Sequence, residues 1–147
     1  SSFLPGEIVA AFLWAQLQRA QEITGARLAL WARYHEAFAD LEAQGILRRP
    51  IVPDTCTHNA HMYYVLLSPS LGRSAVLSKL RDDGVHSVFH YVPLHSSPAG
   101  QRYGRVHGAL AVTDDTAARL VRLPLWVGMS ETDHSRVVEV FTRVLVA

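Results

Sequence analysis

The ten residues IVAAFLWAQL, positions 8 to 17, limit what this chain can fold into more than any other stretch. Leu4-Pro5-Gly6-Glu7 ahead of them has the form of a helix start, with proline in the first turn and an acid near the positive end. The ten-residue run is apolar nearly all the way round, Gln16 being the polar exception. A surface helix shows one apolar stripe, whereas a helix apolar on every face needs cover on every face. A chain of 147 residues can hardly supply that cover by itself. One reading is a central core helix. The reading that accounts for all its faces is a helix packed partly on something else: another domain, a second subunit, or both.

Beyond it, Gly25 is a candidate kink. Ile23, Arg27, Leu30, Tyr34, Phe38 and Leu41 recur at steps of three and four and predict an amphipathic helix ending at Gly45. Residues 46 to 59 form a connector punctuated by Pro50, Pro53 and Asn59. HMYYVLL, 61 to 67, predicts a buried strand. A helix is expected at 73 to 82, then a strand at 85 to 91 and a long irregular segment from 92 to 112. Thr113-Asp114-Asp115 would cap a short helix through Leu120. RLPL, 122 to 125, predicts an edge strand, because Pro124 cannot donate to a ladder. Ser130-Glu-Thr-Asp133 resembles a capping box opening a last helix, with Val137, Val140, Phe141 and Leu145 on one face. The fold class is α+β, with helices covering one face of a small antiparallel-type sheet.

Composition removes several function classes. Net charge is +1 and no basic stretch dominates, which gives no footing for nucleic acid. No apolar run has membrane length and no signal peptide is visible. The single cysteine, Cys56, forbids an internal disulfide and suits a reducing cytoplasm.

Three constellations carry chemistry. Cys56, His58 and His61 are closely spaced soft ligands, but a structural zinc site needs four and the chain has no second cysteine. Serines, histidines and aspartates are plentiful without a G-x-S-x-G elbow, and no phosphate-binding glycine pattern occurs. The third is the stretch FHYVPLHSSPAG together with the residues up to His107. His90, Tyr91, His95, Arg102, Tyr103, Arg105 and His107 cluster within 18 residues. Such side chains bind sugar hydroxyls and diphosphates, and they also occur in solvated loops with a few packed aromatics. Lys79 is the sole lysine, against 13 arginines. Beside Arg81 and Asp82 it has the setting of a solvated surface residue.

The blocks SSFLPGEIVAAFLWAQL, RLALWARYHEAF, HNAHMYYVLL, VFHYVPLHSSPAG, RLVRLPL and MSETD, in this order, resemble the C-terminal part of sugar-nucleotide aminotransferases of the DegT/DnrJ/EryC1/StrS family. The resemblance covers essentially the whole chain. It implies the small domain of a fold-type I pyridoxal phosphate (PLP) enzyme, residues 1 to 147, preceded by its linking helix. The PLP-binding large domain would be absent from this chain, and a start other than methionine fits a piece of something longer. It implies a homodimer and transfer of an amino group from glutamate to C4 of a dTDP-4-keto-6-deoxyhexose, with a 3-keto acceptor as a nearby possibility. In the family the Schiff-base lysine and the acid facing the pyridine nitrogen lie upstream, and Lys79 does not match the lysine motif. No catalytic residue is therefore expected here, and the chain alone is expected to be inactive. The resemblance assigns His90 and Tyr91 to the sugar or diphosphate, with His95 behind them. It puts Ser2 on the cofactor phosphate of the neighbouring subunit, where many members carry asparagine. Leu4 stands where they carry arginine, so that role is lost or moved.

Two rivals remain open at this point. One is a non-catalytic domain of the same ancestry that binds a sugar nucleotide or a partner protein. The other is a small metal protein using Cys56, His58 and His61.

Overall fold

The computed structural model describes residues 3–146, so Ser2 lies outside the described residues. The chain begins with three helices, α1 (Glu7–Gln18), α2 (Ala20–Ala37) and α3 (Ala39–Ala43). Then come β1 (Leu47–Arg48), β2 (Tyr63–Leu67), α4 (Arg73–Asp82) and β3 (Val88–Phe89). A single 3-10 turn at Leu94–Ser96 leads to α5 (Pro98–Tyr103), α6 (Ala111–Arg119), β4 (Leu120–Leu123) and α7 (Glu131–Val146).

The strands form one antiparallel sheet in the order β1-β2-β4-β3. Tyr63 faces Leu123 and Val65 faces Val121 across its central pair. The alternation of side chains sends Tyr63, Val65, Leu67, Val121 and Leu123 to one face. There they join Leu30, Tyr34 and Phe38 of the α2 region, Val76 and Leu80 of α4, and Val137, Val140, Phe141 and Val144 of α7 in one apolar core. On the other face Leu66, opposite Leu120, is also buried, and α6 packs against β2. The α+β class with a small antiparallel sheet and covering helices is what the structure shows.

α7 forms as its sequence predicts. Ser130 Oγ accepts from the Asp133 N–H at 3.0 Å and donates to the Asp133 carboxylate at 2.6 Å, so the opening turn is capped by its own side chains. Burial of Val137, Val140, Phe141, Val144 and Leu145 then fixes the inward face.

Five local expectations are corrected. Gly25 does not break the helix. α2 runs through it, because burial of Leu30 and Tyr34 outweighs the modest cost of one glycine. The breaks fall at Arg19 and Phe38, each with φ near −100° to −110° and ψ near +10° to +15°. The second strand pairs only at Val88–Phe89, not over 85 to 91. β4 spans 120 to 123 and is an interior strand, paired on both sides. Pro124 lies just past the last paired residue, so no ladder proton is lost. α6 begins at Ala111, two residues before the expected cap, with Leu110 at the boundary. The segment 92 to 112 is not wholly irregular, since it contains the 3-10 turn and α5, whose N-cap Ser97 accepts from the Gly100 N–H at 3.0 Å.

α1 stands apart. None of its residues is buried, and Phe12 and Trp14 are 71% and 66% exposed. Among the described residues no helix is long and apolar enough to cross a membrane.

Candidate functional site

β3 ends at Phe89, and the next residues leave the sheet and run alongside α6. Between the two lies a groove of about 530 Å³. His90, Tyr91 and Leu94 line one wall, and Val112, Thr113 and Thr116 of α6 line the other. The order of the strands explains the placement. β3 is the edge strand beside β4, and α6 runs directly into β4, so chain leaving β3 emerges next to α6.

The His90 and Tyr91 rings meet edge to face at 5.1 Å. His90 is half-buried, and its Nδ1 is shielded from solvent with no hydrogen-bond partner. A buried imidazole nitrogen without a partner costs free energy that a ligand group can restore. Tyr91 is mostly exposed. A smaller cleft of about 220 Å³ shares Tyr91, Val92 and Pro93 and adds Arg73, Phe89, Ser96 and Asp114. There the Arg73 guanidinium lies 5.1 Å from the Phe89 ring centre and donates to the Ala117 carbonyl.

The structure divides the seven-residue cluster seen in the sequence. His90 and Tyr91 line the groove together. His95 lines neither the groove nor the cleft, and its Nε2 lies 2.9 Å from Asp114 Oδ1. Arg102 and Tyr103 sit on exposed α5, the guanidinium 5.1 Å from the Tyr103 ring centre. Arg105 and His107 are exposed, and none of these four lines the groove. Thr113, Thr116, Asp114 and Arg73 were not singled out as site residues from the sequence. Thr113-Asp114-Asp115 was visible there only as a helix-start signal.

Cys56, His58 and His61 do not converge. Cys56 is exposed, His58 packs edge-on against Trp31 at 4.7 Å, and His61 Nδ1 lies 2.9 Å from Asn59 Oδ1. Among the described residues no three histidine, cysteine or acidic side chains come together as a metal site.

A PLP enzyme needs a lysine amine held in a pocket. Lys79 is exposed in the last turn of α4 and lines neither groove nor cleft. Lys79 therefore does not offer the pocketed amine that this chemistry requires. Some groups with displaced proton affinity are surface ion-pair partners, such as Arg19 with Glu22 and Asp115 with Arg119, and others lie in the core. Burial pushes the Tyr34 and Tyr63 hydroxyls well above the ordinary phenol value, and burial holds the His134 imidazole below its own.

Residues 6–142 match the model of the DegT/DnrJ/EryC1/StrS aminotransferase family. The chain belongs to this family. Among its relatives is the dTDP-3-amino-3,4,6-trideoxy-alpha-D-glucose transaminase of Micromonospora megalomicea subsp. nigra, 28% identical over 141 residues. That match takes in 95% of this chain and 37% of the relative. The aminotransferase TlmJ from Streptoalloteichus hindustanus superposes with a TM-score of 0.77 at 28% identity, over 90% of this chain and 34% of that one. The PLP-form of Spr1654 from Streptococcus pneumoniae matches in fold, with a TM-score of 0.76 at 20% identity, over 90% of this chain and 34% of that one. The small sheet with its helices is thus the architecture found within fold-type I PLP aminotransferases. This family member spans roughly a third of the length of the relatives it matches.

Proposed function

We propose that this chain is the small domain of a PLP-dependent sugar-nucleotide aminotransferase, and that the groove beside His90 takes the nucleotide-linked sugar. The observation that carries the reading is His90 itself, with a shielded, unpartnered Nδ1 beside an exposed Tyr91 on the wall of a groove of about 530 Å³. The pair offers ring faces and hydrogen-bonding groups to a polyhydroxylated ligand. The reaction is transfer of an amino group from glutamate to C4 of a dTDP-4-keto-6-deoxyhexose, giving a 4-amino-4,6-dideoxygalactose type of product. PLP acts as the electron sink when bound. Its lysine and most of its contacts belong to a large domain outside these residues, with Ser2 reaching the cofactor phosphate of the neighbouring subunit in a homodimer. The bare face of α1 supports this, since it offers the large domain and the second subunit an apolar surface. The 147-residue chain alone does not transaminate, and the enzyme works in the cytoplasm.

The test is His90→Ala in the complete enzyme. The Michaelis constant for the dTDP-sugar should rise about tenfold while the cofactor absorption spectrum is unchanged. An unchanged Michaelis constant overturns the assignment.

A 3-keto acceptor is the second reading, favoured by the name of the Micromonospora relative, which is a 3-amino sugar transaminase. NMR of the product decides it, because nitrogen on C3 rather than C4 shifts a different ring proton.

A further inference from the structure

We propose that Asp114 is a positioning residue for the sugar-nucleotide substrate, acting through His95 to lock the His90–Leu94 wall against α6. This rests on the reading of the groove as the sugar-nucleotide site.

Past Phe89 the chain has left the sheet. The hydrogen bonds of Ser96, Ser97 and Gln101 stay within residues 93 to 101: Ser96 Oγ to the Pro93 carbonyl, Ser97 Oγ to the Leu94 carbonyl, and Gln101 Nε2 to the Ser96 carbonyl. They shape the turn but do not fasten it to the body. His95 does. Its Nε2 meets Asp114 Oδ1 at 2.9 Å across 19 residues of sequence, and Asp114 stands on α6 between the groove residues Thr113 and Thr116 while itself lining the smaller cleft. The contact therefore lies outside the groove and ties the turn that continues its first wall to the helix that carries the second. The His95 side chain is 16% exposed against 55% for Asp114, so the imidazole is shielded while the carboxylate keeps part of its hydration. Such a contact fixes geometry more than it adds stability.

Asp114 also sits in the first turn of α6, where any acid is favourable. Asp115 supplies the control, for it lies beside Asp114 and pairs with Arg119 instead of His95.

The experiment measures both substrates' steady-state constants in the complete enzyme. Asp114→Ala should raise the Michaelis constant for the dTDP-sugar about three- to tenfold, leaving kcat and the glutamate constant near those of the parent. Asp114→Asn, which keeps an oxygen for the imidazole N–H, should restore most of the loss. Asp115→Ala should change neither constant. Because Asp114 acts through His95, the double variant His95→Ala/Asp114→Ala should be no worse than His95→Ala alone. A dTDP-sugar constant unmoved in Asp114→Ala while His90→Ala raises it overturns the proposal and spares the groove. Additive losses in the double variant overturn it as well. If His90→Ala is also without effect, the groove reading falls and the positioning role falls with it.

Discussion

The Tyr34 hydroxyl donates to the Pro124 carbonyl across 2.8 Å, tying the second half of α2 to the residue just past β4. Tyr34 is fully buried, its ring 4.0 Å from His134 and 5.2 Å from Tyr63 by centroid. Tyr34→Phe keeps the packing and strands the carbonyl. It should lower stability by about 1 kcal/mol and the melting temperature by roughly 2–5 °C. A thermal melt that does not shift shows that the bond contributes nothing net.

His134 gives the fold a pH dependence. Burial, and then the Arg33 charge, hold its imidazole below the ordinary value of 6.5, while the Leu30 backbone pulls the other way. The folded state therefore binds the proton less readily than the unfolded chain. Stability from the neutral ring is complete above pH 6.5 and is lost progressively as pH falls below it. His35, also lowered chiefly by burial, acts in the same direction. Urea midpoints should fall between about pH 7.5 and about pH 5.5, and His134→Phe should flatten the slope. An equally steep slope in the variant would place the acid sensitivity elsewhere.

Gly100 is fixed by close approach. A Cβ there would lie 1.7 Å from the Leu94 carbonyl oxygen and 2.8 Å from its carbon. Gly100→Ala must push the 3-10 turn off α5, moving Leu94 in the groove wall while sparing the core. The dTDP-sugar Michaelis constant of the complete enzyme should rise by about tenfold or more, with the melting temperature within a few degrees of the parent. Unaltered kinetics would mean that the turn does not shape the groove.

α1 makes a prediction with two arms. Phe12→Glu and Trp14→Glu alter residues that are mostly exposed in this chain. In the 147-residue chain they should change stability by less than about 0.5 kcal/mol and raise solubility. In the complete enzyme they should weaken domain or subunit packing, read by light scattering and melting temperature. Equal indifference in both settings would remove the docking role of the helix.

What the sequence disclosed depends on how local each feature is. β2 and α7 were legible because dense apolar residues or a capped 3.6-residue period mark them without reference to anything distant. β1 has two residues and no period to detect. The interior place of β4 was hidden by Pro124, since a proline one residue past the ladder looks the same in sequence as a proline within it. Gly25 looked like a break because propensity is local, whereas the packing of Leu30 and Tyr34 that overrides it is not. At the site, His90 and Tyr91 were visible as neighbours. The opposing wall was not, because Val112, Thr113 and Thr116 meet them only after β4 has brought α6 alongside.

The strand order β1-β2-β4-β3 also sets the sequence of events as the protein is made. β1 and β2 can pair as soon as both leave the ribosome, but β2 must then wait with one edge open for β4, since β2 pairs with Leu120–Leu123. Pairings that close so long a stretch of chain form slowly. Val88 and Phe89 join the sheet through that same late strand. A nascent chain stalled before Leu120 would hold the groove residues from His90 to Ala117 without the strand that docks both walls on the sheet.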